Sequence, residues 1–305
     1  MMLKKYVQPV VEAPDTPFFE GVGITATSVS KVASPVKADS IPVYPTIEET
    51  SSTPEPPMRL TTSVIDKFLS DNNIAVLEKH FPEVESELSE INYLLDGIAK
   101  HIDAAEELFH KLRKSIAETD GKFSYTPTNL TMEQLDSVKK LLQMLKLCGV
   151  FSELRVSNHY SGAVSSATRV RNFISGTWLE LFSQQHGIEV ISEKAKQMNL
   201  PYEILCNVKV TDQEGTQHEI DLMFSIGDHV FAIEMKSGLN FMDYDRYRLL
   251  AEYLHLIPDR FMLVNSTLLD KEATKCITYF YRYYICNSAD YVSTLSDMID
   301  KAFYS

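Results

Sequence analysis

The sequence predicts an α/β protein in which a mixed β-sheet is flanked by helices and preceded by a helical region and a disordered tail. Three observations lead to this fold class. Prolines are concentrated in residues 1–60, residues 61–150 carry apolar side chains at helical spacing, and residues 151–305 alternate between strand-like and helical segments. We therefore divide the chain into a tail, a helical or coiled-coil region and an α/β domain.

Composition excludes several classes of protein. The chain has 305 residues and a formal net charge of −13, which argues against binding nucleic acid through bulk positive charge. It contains no stretch of about 18 apolar residues, so we expect no association with membranes. The N-terminus lacks the apolar segment of a secretory signal, and the four cysteines show no CxxC spacing. We therefore expect a cytoplasmic protein with reduced thiols.

Residues 1–60 hold nine of the thirteen prolines. Because proline lacks a backbone donor and restricts φ, we expect no long helix or central strand in this region. One interpretation is a plain disordered or extended tail. The other is a docking segment that folds onto a partner, with Phe18 and Phe19 as its anchor.

A long helix is predicted over residues 84–112, where apolar residues are separated alternately by four and three positions. They are Val84, Leu88, Ile91, Leu95, Ile98, Ile102, Ala105, Phe109 and Leu112. This heptad pattern fits a helix packed in a bundle within the chain. It fits equally a coiled coil that forms a homodimer, or binds a partner protein, through residues 82–114.

A further helix is predicted near residues 135–147. Thr131 and Gln134 have the spacing of a capping box at its start, and Gly149 suits its end. Residues 157–166 are rich in serine and glycine, so we expect a loop there that links to the α/β domain.

The α/β domain is predicted from the alternation of helical and strand periodicity. The dipeptide Gly227-Asp228 between two apolar runs predicts a β-hairpin. In chain order we predict helix 169–186, strands 188–192, 204–210, 220–225 and 229–235, helix 244–256, strand 260–265, helix 269–280, strand 283–286 and helix 291–303.

Charged residues stand out on the two strands of this hairpin. Asp221 lies on the first strand, with Glu219 two positions before it, and Glu234 and Lys236 lie on the second. Since alternate residues of a strand share a face, Glu234 and Lys236 project together, and antiparallel pairing brings Asp221 opposite Glu234. The sequence therefore predicts that two carboxylates and a lysine converge.

Oxygen ligands of this kind suit hard divalent cations. We expect Asp221, Glu234 and the backbone carbonyl of Met235 to bind Mg²⁺ or Mn²⁺, with Glu180 from the preceding helix as a third carboxylate. Such ions bind a phosphodiester oxygen and lower the pKa of a bound water. Lys236 would orient that water and stabilise the charge that develops on the phosphorane.

A structural explanation accounts for the same charges. An Asp and a Glu-x-Lys on neighbouring strands also form a simple cross-strand ion pair, worth about 1 kcal/mol or less. Glu180 would also suit a solvated helix face. Lys209, Arg246 and Arg248 are either contacts to nucleic-acid phosphates or ordinary surface charges.

Asp221, followed by Glu234 and Lys236 in this order of elements, resembles the PD-(D/E)XK nuclease superfamily, although Ile220 stands where that motif has proline. This resemblance implies a restriction-endonuclease-like sheet. It also implies Mg²⁺- or Mn²⁺-dependent cleavage of nucleic acid by the residues already named.

A more specific resemblance is carried by the segment Arg171-Asn-Phe-Ile-Ser-Gly-Thr-Trp-Leu-Glu180 together with residues 207–210 and 219–224. These segments are similar to the nuclease domain of the CRISPR-associated, cyclic-oligoadenylate-activated nucleases of the Card and Can type. The similarity covers roughly residues 130–305, with a winged-helix-like lead-in near its start. In that family the helix matching Glu180 supplies an acidic residue to the metal site.

The chain departs from that family at its N-terminal side. Those nucleases carry a Rossmann-like sensor of cyclic oligoadenylate, whereas residues 1–60 are proline-rich here and residues 62–147 show no alternation of strands and helices. Activation by that ligand is therefore not implied.

Together these observations predict a metal-dependent nuclease, an endonuclease acting on DNA or RNA. A setting in antiviral defence or a mobile element follows from fold analogy alone. The alternative is a non-catalytic nucleic-acid-binding or assembly subunit that acts through its coiled coil.

Overall fold

The computed structural model describes residues 63–82, 85–237, 243–266 and 271–304, with side chains described for all of these except residues 85–90 and 271–273. The predicted fold class is confirmed, because the chain forms a mixed six-stranded sheet with helices packed against it. The proline-rich residues 1–60 lie outside the described residues.

The first half of the described chain contains three helices and four short strands. In chain order these are α1 (Val64–Asp71), β1 (Ala75–His80), α2 (Glu85–Glu118), β2 (Lys122–Tyr125), α3 (Met132–Leu147), β3 (Phe151–Val156) and β4 (Tyr160–Val164). The capping box predicted at Thr131 is confirmed, since its side chain accepts from the N–H of Gln134 and the Gln134 side chain bonds back.

The second half contains the remaining helices and the main strands. They are α4 (Thr168–Asn172), a π-helical turn (Phe173–Thr177), α5 (Trp178–Met198), β5 (Tyr202–Thr211), β6 (Gln217–Ile226), β7 (His229–Lys236), α6 (Tyr244–Tyr253), a 3₁₀ turn (Pro258–Arg260), β8 (Phe261–Asn265), α7 (Lys271–Tyr281), β9 (Tyr284–Cys286) and α8 (Tyr291–Tyr304).

The six-stranded sheet has the order β1-β5-β6-β7-β8-β9. Strands β1, β5, β6 and β7 pair antiparallel, whereas β7, β8 and β9 pair parallel. The predicted hairpin between β6 and β7 is confirmed, and Gly227 adopts a φ of 54° in its turn. A separate three-stranded antiparallel sheet has the order β2-β4-β3.

The strand predicted at residues 188–192 is wrong, because these residues lie within α5. Gly187, which the sequence suggested as a helix end, is a packing position inside that helix. A Cβ built on Gly187 would lie 2.8 Å from the hydroxyl of Tyr291 on α8. Buried Ile191 and Ala195 then continue the apolar face one turn apart, as in a helix.

Several strands were missed. The loop expected at residues 157–166 contains β4, and β1, β2 and β3 were not predicted. β1 and β3 are short and largely exposed, so their side chains carry little apolar alternation. The pairing of β1 also joins residues far apart in the sequence, since its partner is β5.

The first elements of the predicted helical region belong to the core of the six-stranded sheet. Ile65 and Leu69 of α1 are fully buried in one apolar cluster with Leu205, Ile220 and Leu263 of the sheet. With β1 forming the edge beside β5, these elements complete the α/β core. The three-part division of the chain remains a prediction.

The heptad residues of α2 are covered within a single chain. The buried ones are Ile91, Leu95, Ile98, Ile102, Ala105, Phe109 and Leu112. A Cβ built on Gly97 would lie 1.9 Å from Met144 Cε of α3, and the ring of Phe109 meets that of Trp178 edge-on at 6.2 Å. The structure therefore favours the intramolecular bundle, because this apolar face is already occupied by the chain's own helices.

The described residues bear on two expectations, the absence of a membrane span and the reduced state of the cysteines. None of the described helices is both long and apolar enough to cross a membrane. All four cysteines are free thiols, and Cys206 and Cys286 are buried. Burial raises the pKa of the Cys286 thiol to about 12, so this thiol stays protonated and unreactive at neutral pH.

Candidate metal and catalytic site

Strands β6 and β7 bring Asp221 and Glu234 together. Leu222 and Ile233 form the last pair of this antiparallel ladder, and the next step along both strands reaches Asp221 and Glu234. The backbone N–H of Met235 donates to Asp221 Oδ2 across 2.7 Å. The two carboxylates therefore lie on one face, at the end of β7 where the parallel part of the sheet begins.

Lys236 lies between the two carboxylates. Its Nζ is 2.9 Å from Glu234 Oε2 and 3.3 Å from Asp221 Oδ2. The side chain of Glu234 is 4% exposed, that of Asp221 14% and that of Lys236 32%. The carboxylates thus face inward while the ammonium reaches the surface of the site.

The charges of these groups act strongly on one another. Burial, followed by the charge of Asp221, raises the pKa of Glu234. Burial alone would lower the pKa of Lys236, but the carboxylates of Glu234 and Asp221 outweigh it and raise that pKa above its usual value. Lys236 therefore stays protonated throughout the neutral range.

One oxygen of this cluster has no partner. Glu234 Oε1 is buried and accepts no hydrogen bond from any described residue. A buried carboxylate oxygen without a donor or cation is costly. A cation, a water molecule or a proton on the carboxyl group would satisfy this oxygen.

Glu180 lies near this cluster, as the sequence predicted for its helix. It stands in the first turn of α5, directly after the π-helical turn, and is partly buried. Burial, followed by the charge of Asp221, raises the pKa of Glu180 to about 7, while Lys236 acts in the opposite direction. Among the described residues Glu180 forms no hydrogen bond with the cluster, so its relation to Asp221 and Lys236 is electrostatic.

Two other predicted residues occupy different positions. Glu219 is exposed and pairs across the sheet with Lys209. The contact of Met235 with the cluster is made by its N–H, which donates to Asp221. The carbonyl of Met235 as a metal ligand stays a prediction.

The three candidate phosphate contacts differ in their partners. Lys209 forms an ion pair with Glu78 of β1. Arg248 forms an ion pair with Glu252 one turn along α6. Arg246 is exposed in the first turn of α6, close enough to lower the pKa of Glu234, and no ion pair joins it to a described residue.

Sequence reasoning missed the residues that hold the end of β7. The guanidinium of Arg113 on α2 donates from Nη1 to the carbonyl of Ser237, the residue after Lys236. Ser237 Oγ in turn donates to the carbonyl of Ser175 across 2.9 Å. No periodic pattern could have revealed these contacts, because they join three distant segments. From the sequence alone, the helix that carries Arg113 belongs to a separate helical region.

The donor set fits a hard cation in its chemistry. Asp221 and Glu234 offer carboxylate oxygens on one face, and the unpartnered Glu234 Oε1 is the atom that a cation would satisfy. The described residues contain no ready-made group of three or more His, Cys, Asp and Glu side chains positioned to hold a metal ion. Glu180 would have to approach more closely to complete such a group.

Comparison with known proteins supports the fold. No protein-family model and no curated protein matches the sequence. Two solved structures are similar over 78% of this chain, each with a TM-score of 0.52. One is Can2 from Sulfobacillus thermosulfidooxidans in complex with cyclic tetra-adenylate, at 14% identity. The other is protein VC1899 from Vibrio cholerae, at 16% identity.

The likeness to these proteins is one of fold. The similar region spans about three fifths of each of them, 60% of Can2 and 61% of VC1899. At such low identity the match carries no residue roles to this chain. It supports a Can-like fold, in agreement with the family that the sequence resembles.

Proposed function

We propose that this chain is a divalent-metal-dependent nuclease that hydrolyses phosphodiester bonds in DNA or RNA. The observation that carries the proposal is the buried, unpartnered Glu234 Oε1 beside Asp221, with the Lys236 ammonium bonded to both side chains. The Can-like fold and the PD-(D/E)XK resemblance of the same three residues support it.

Asp221 and Glu234 would hold Mg²⁺ or Mn²⁺, with Glu180 and the Met235 carbonyl as further ligands. A bound divalent ion supplies a Lewis acid for the phosphodiester and lowers the pKa of water. The raised pKa of Glu234 means that cation binding competes with a proton, so affinity for the cation should rise with pH.

Lys236 would act by its charge. An ammonium whose pKa is raised keeps its protons at neutral pH and cannot serve as a general base. It can donate hydrogen bonds to water or to a phosphate oxygen and stabilise negative charge that develops during hydrolysis. Its partial exposure places this charge where a substrate could reach it.

Capture of the substrate would rest on local charge. The chain as a whole carries −13, so a bulk electrostatic field repels nucleic acid. Arg246, exposed beside the carboxylates, is the candidate phosphate contact that the described residues leave without an ion pair. We also propose a winged-helix-like lead-in around residues 131–156 and a setting in antiviral defence, both by analogy with Can-type proteins.

Cleavage assays with the full chain test the proposal. Single- and double-stranded DNA and RNA are incubated with Mg²⁺, Mn²⁺ or EDTA, using the wild type, Asp221→Asn, Lys236→Ala and the matched control Glu219→Gln. We expect cation-dependent cleavage that is lost in the first two variants and kept in the control, with unchanged circular dichroism spectra. Cleavage that persists in both variants, or in EDTA, would contradict the proposal.

A second candidate is a non-catalytic nucleic-acid-binding or assembly subunit. The observation in its favour is that Lys236 already forms ion pairs with both carboxylates, and the described residues hold no three-ligand group. In that case Mn²⁺ would leave the melting temperature unchanged. Nucleic acid would then be bound without being cut.

A further inference from the structure

Helix α2 contacts the strand end that carries Lys236. The Arg113 guanidinium donates to the carbonyl of Ser237, which directly follows Lys236. Arg113 is partly buried, and no described carboxylate lies within ion-pair distance of it. This carbonyl is the acceptor that the structure gives to a desolvated guanidinium, so the contact is costly to lose.

Ser237 is also held from a second side. Its hydroxyl donates to the carbonyl of Ser175 in the π-helical turn across 2.9 Å. Gly176 approaches so closely that an added Cβ would lie 2.8 Å from Ser237 Oγ. The Lys236 carbonyl accepts from the N–H of Ser266 at the end of β8, 3.0 Å away. The end of β7 is thereby tied to three other segments.

The same face of α2 reaches the helix that carries Glu180. Phe109 lies one turn before Arg113, and its ring meets that of Trp178 edge-on at 6.2 Å. Trp178 is fully buried and stands two residues before Glu180. One helical face therefore touches the carriers of both Glu180 and Lys236.

We propose that Arg113 is a positioning residue, which sets Lys236 relative to Glu180 by fixing the Ser237 carbonyl to α2. The inference rests on the proposed function for its catalytic consequence. A displacement of catalytic groups by about 1 Å can cost about 100-fold in rate, so a bond to a backbone carbonyl at this point is enough to matter. It also makes α2 part of the working nuclease.

The test compares Arg113→Ala and Arg113→Lys with the control Lys114→Ala in the full chain. Lys114 is the exposed neighbour on the same helix, and its ion-pair partner among the described residues is Glu118 at 3.7 Å. Amide hydrogen exchange is measured by mass spectrometry over residues 234–237 and 173–180, together with Mn²⁺ affinity by calorimetry, kcat and KM.

We expect Arg113→Ala to speed exchange at Lys236 and Ser237 by about tenfold or more, and to lower kcat with little change in KM. Arg113→Lys should recover part of both, because lysine can still donate to the carbonyl. Unchanged exchange would mean that the Arg113–Ser237 contact does not hold the end of β7. Faster exchange with wild-type kcat would overturn the positioning role, and a change in KM alone would make Arg113 a substrate contact instead.

A second variant keeps the test informative if Arg113→Ala does not fold. Ser237→Ala removes the bond to Ser175 but leaves the carbonyl that Arg113 contacts. It should speed amide exchange over residues 173–177 and lower kcat, while the melting temperature falls little. Unchanged exchange and unchanged kcat would count against the positioning role of these contacts. A wild type that neither binds Mn²⁺ nor cleaves nucleic acid would refute the proposed function. The exchange data would still decide whether the Arg113–Ser237 contact holds the end of β7.

Discussion

Lys236 and Glu234 stand two residues apart on β7 and form an ion pair of 2.9 Å, in which the carboxylate is almost fully buried while the ammonium is about one third exposed. The second oxygen of Glu234 has no partner among the described residues. The pair thus combines a counter-charge already in place with an oxygen left for another cation or a proton.

Replacing Lys236 by alanine should separate metal binding from catalysis. The ammonium competes with a cation for Glu234, so its removal should leave Mn²⁺ affinity unchanged or higher. Cleavage should fall by at least about 100-fold, because the charge that stabilises the reacting phosphate is gone. Calorimetry and single-turnover assays measure the two effects. A tenfold loss of Mn²⁺ affinity would speak against this division of roles.

Asp221→Asn should weaken Mn²⁺ binding by at least about tenfold, the scale seen when even residues that support metal ligands are changed. The amide oxygen of asparagine can still accept from the Met235 N–H, so the strand pairing should survive. Glu219→Gln, on the same strand but exposed, is the matched control and should bind Mn²⁺ as the wild type does. Equal affinities in the two variants would remove Asp221 from the ligand set.

Arg246→Ala should weaken nucleic-acid binding and reduce the slope of log affinity against log salt by about 1, as expected for one lost phosphate contact. Arg248→Ala is the matched control, because Arg248 is already paired with Glu252 on the same helix. Fluorescence anisotropy at several salt concentrations measures both slopes. Identical slopes for the two variants would identify Arg246 as ordinary surface charge.

Phe109→Ala should lower the free energy of unfolding by about 3 kcal/mol or more, because it opens a cavity beside Trp178 inside the chain. Tyr93→Ala, on the same helix but 72% exposed, should change it little. Urea denaturation measures both values. If Phe109→Ala instead dissociates a dimer with little loss of folding stability, the intramolecular assignment of the heptad face is wrong.

His218→Gln should make the stability of the protein less sensitive to acid pH. Burial, followed by the charge of Arg246, lowers the pKa of His218 below its usual 6.5, so the folded state favours the neutral ring. The unfolded chain binds the proton at higher pH, and stability contributed by the neutral ring is therefore lost as pH falls through 6.5 and below. Melting temperatures from pH 7.5 to 5 should fall less in the variant than in the wild type.

His110→Gln on the exposed side of α2 is the control for this measurement. It should follow the wild-type pH profile. A His218→Gln profile parallel to the wild type would show that the ring is not the source of the acid sensitivity.

The fold class could be predicted because apolar periodicity reports local structure. The heptad spacing of α2, the capping box at Thr131 and the Gly227 hairpin are each determined within a few residues of chain, and all three appear in the structure. The end predicted for the helix at Gly187 is wrong. Gly187 looked like a helix end, but it lies inside α5 at a position where the Tyr291 hydroxyl approaches closely.

The convergence of Asp221, Glu234 and Lys236 was likewise readable, because the two-residue period of a strand and the register of a hairpin place side chains without further knowledge of the fold. The burial of Glu234 and its unpartnered oxygen could not be predicted from the sequence. They depend on which elements pack over the end of β7.

The sequence by itself determined most of the helices, the β6–β7 hairpin and the face of the sheet on which the charges gather, since each follows from periodicity and hairpin register. Only the tertiary structure decided what covers the heptad face of α2, that α1 and β1 complete the α/β core, and that Arg113 reaches Ser237. Contacts between distant segments depend on the packing of the whole chain, and no local pattern encodes them.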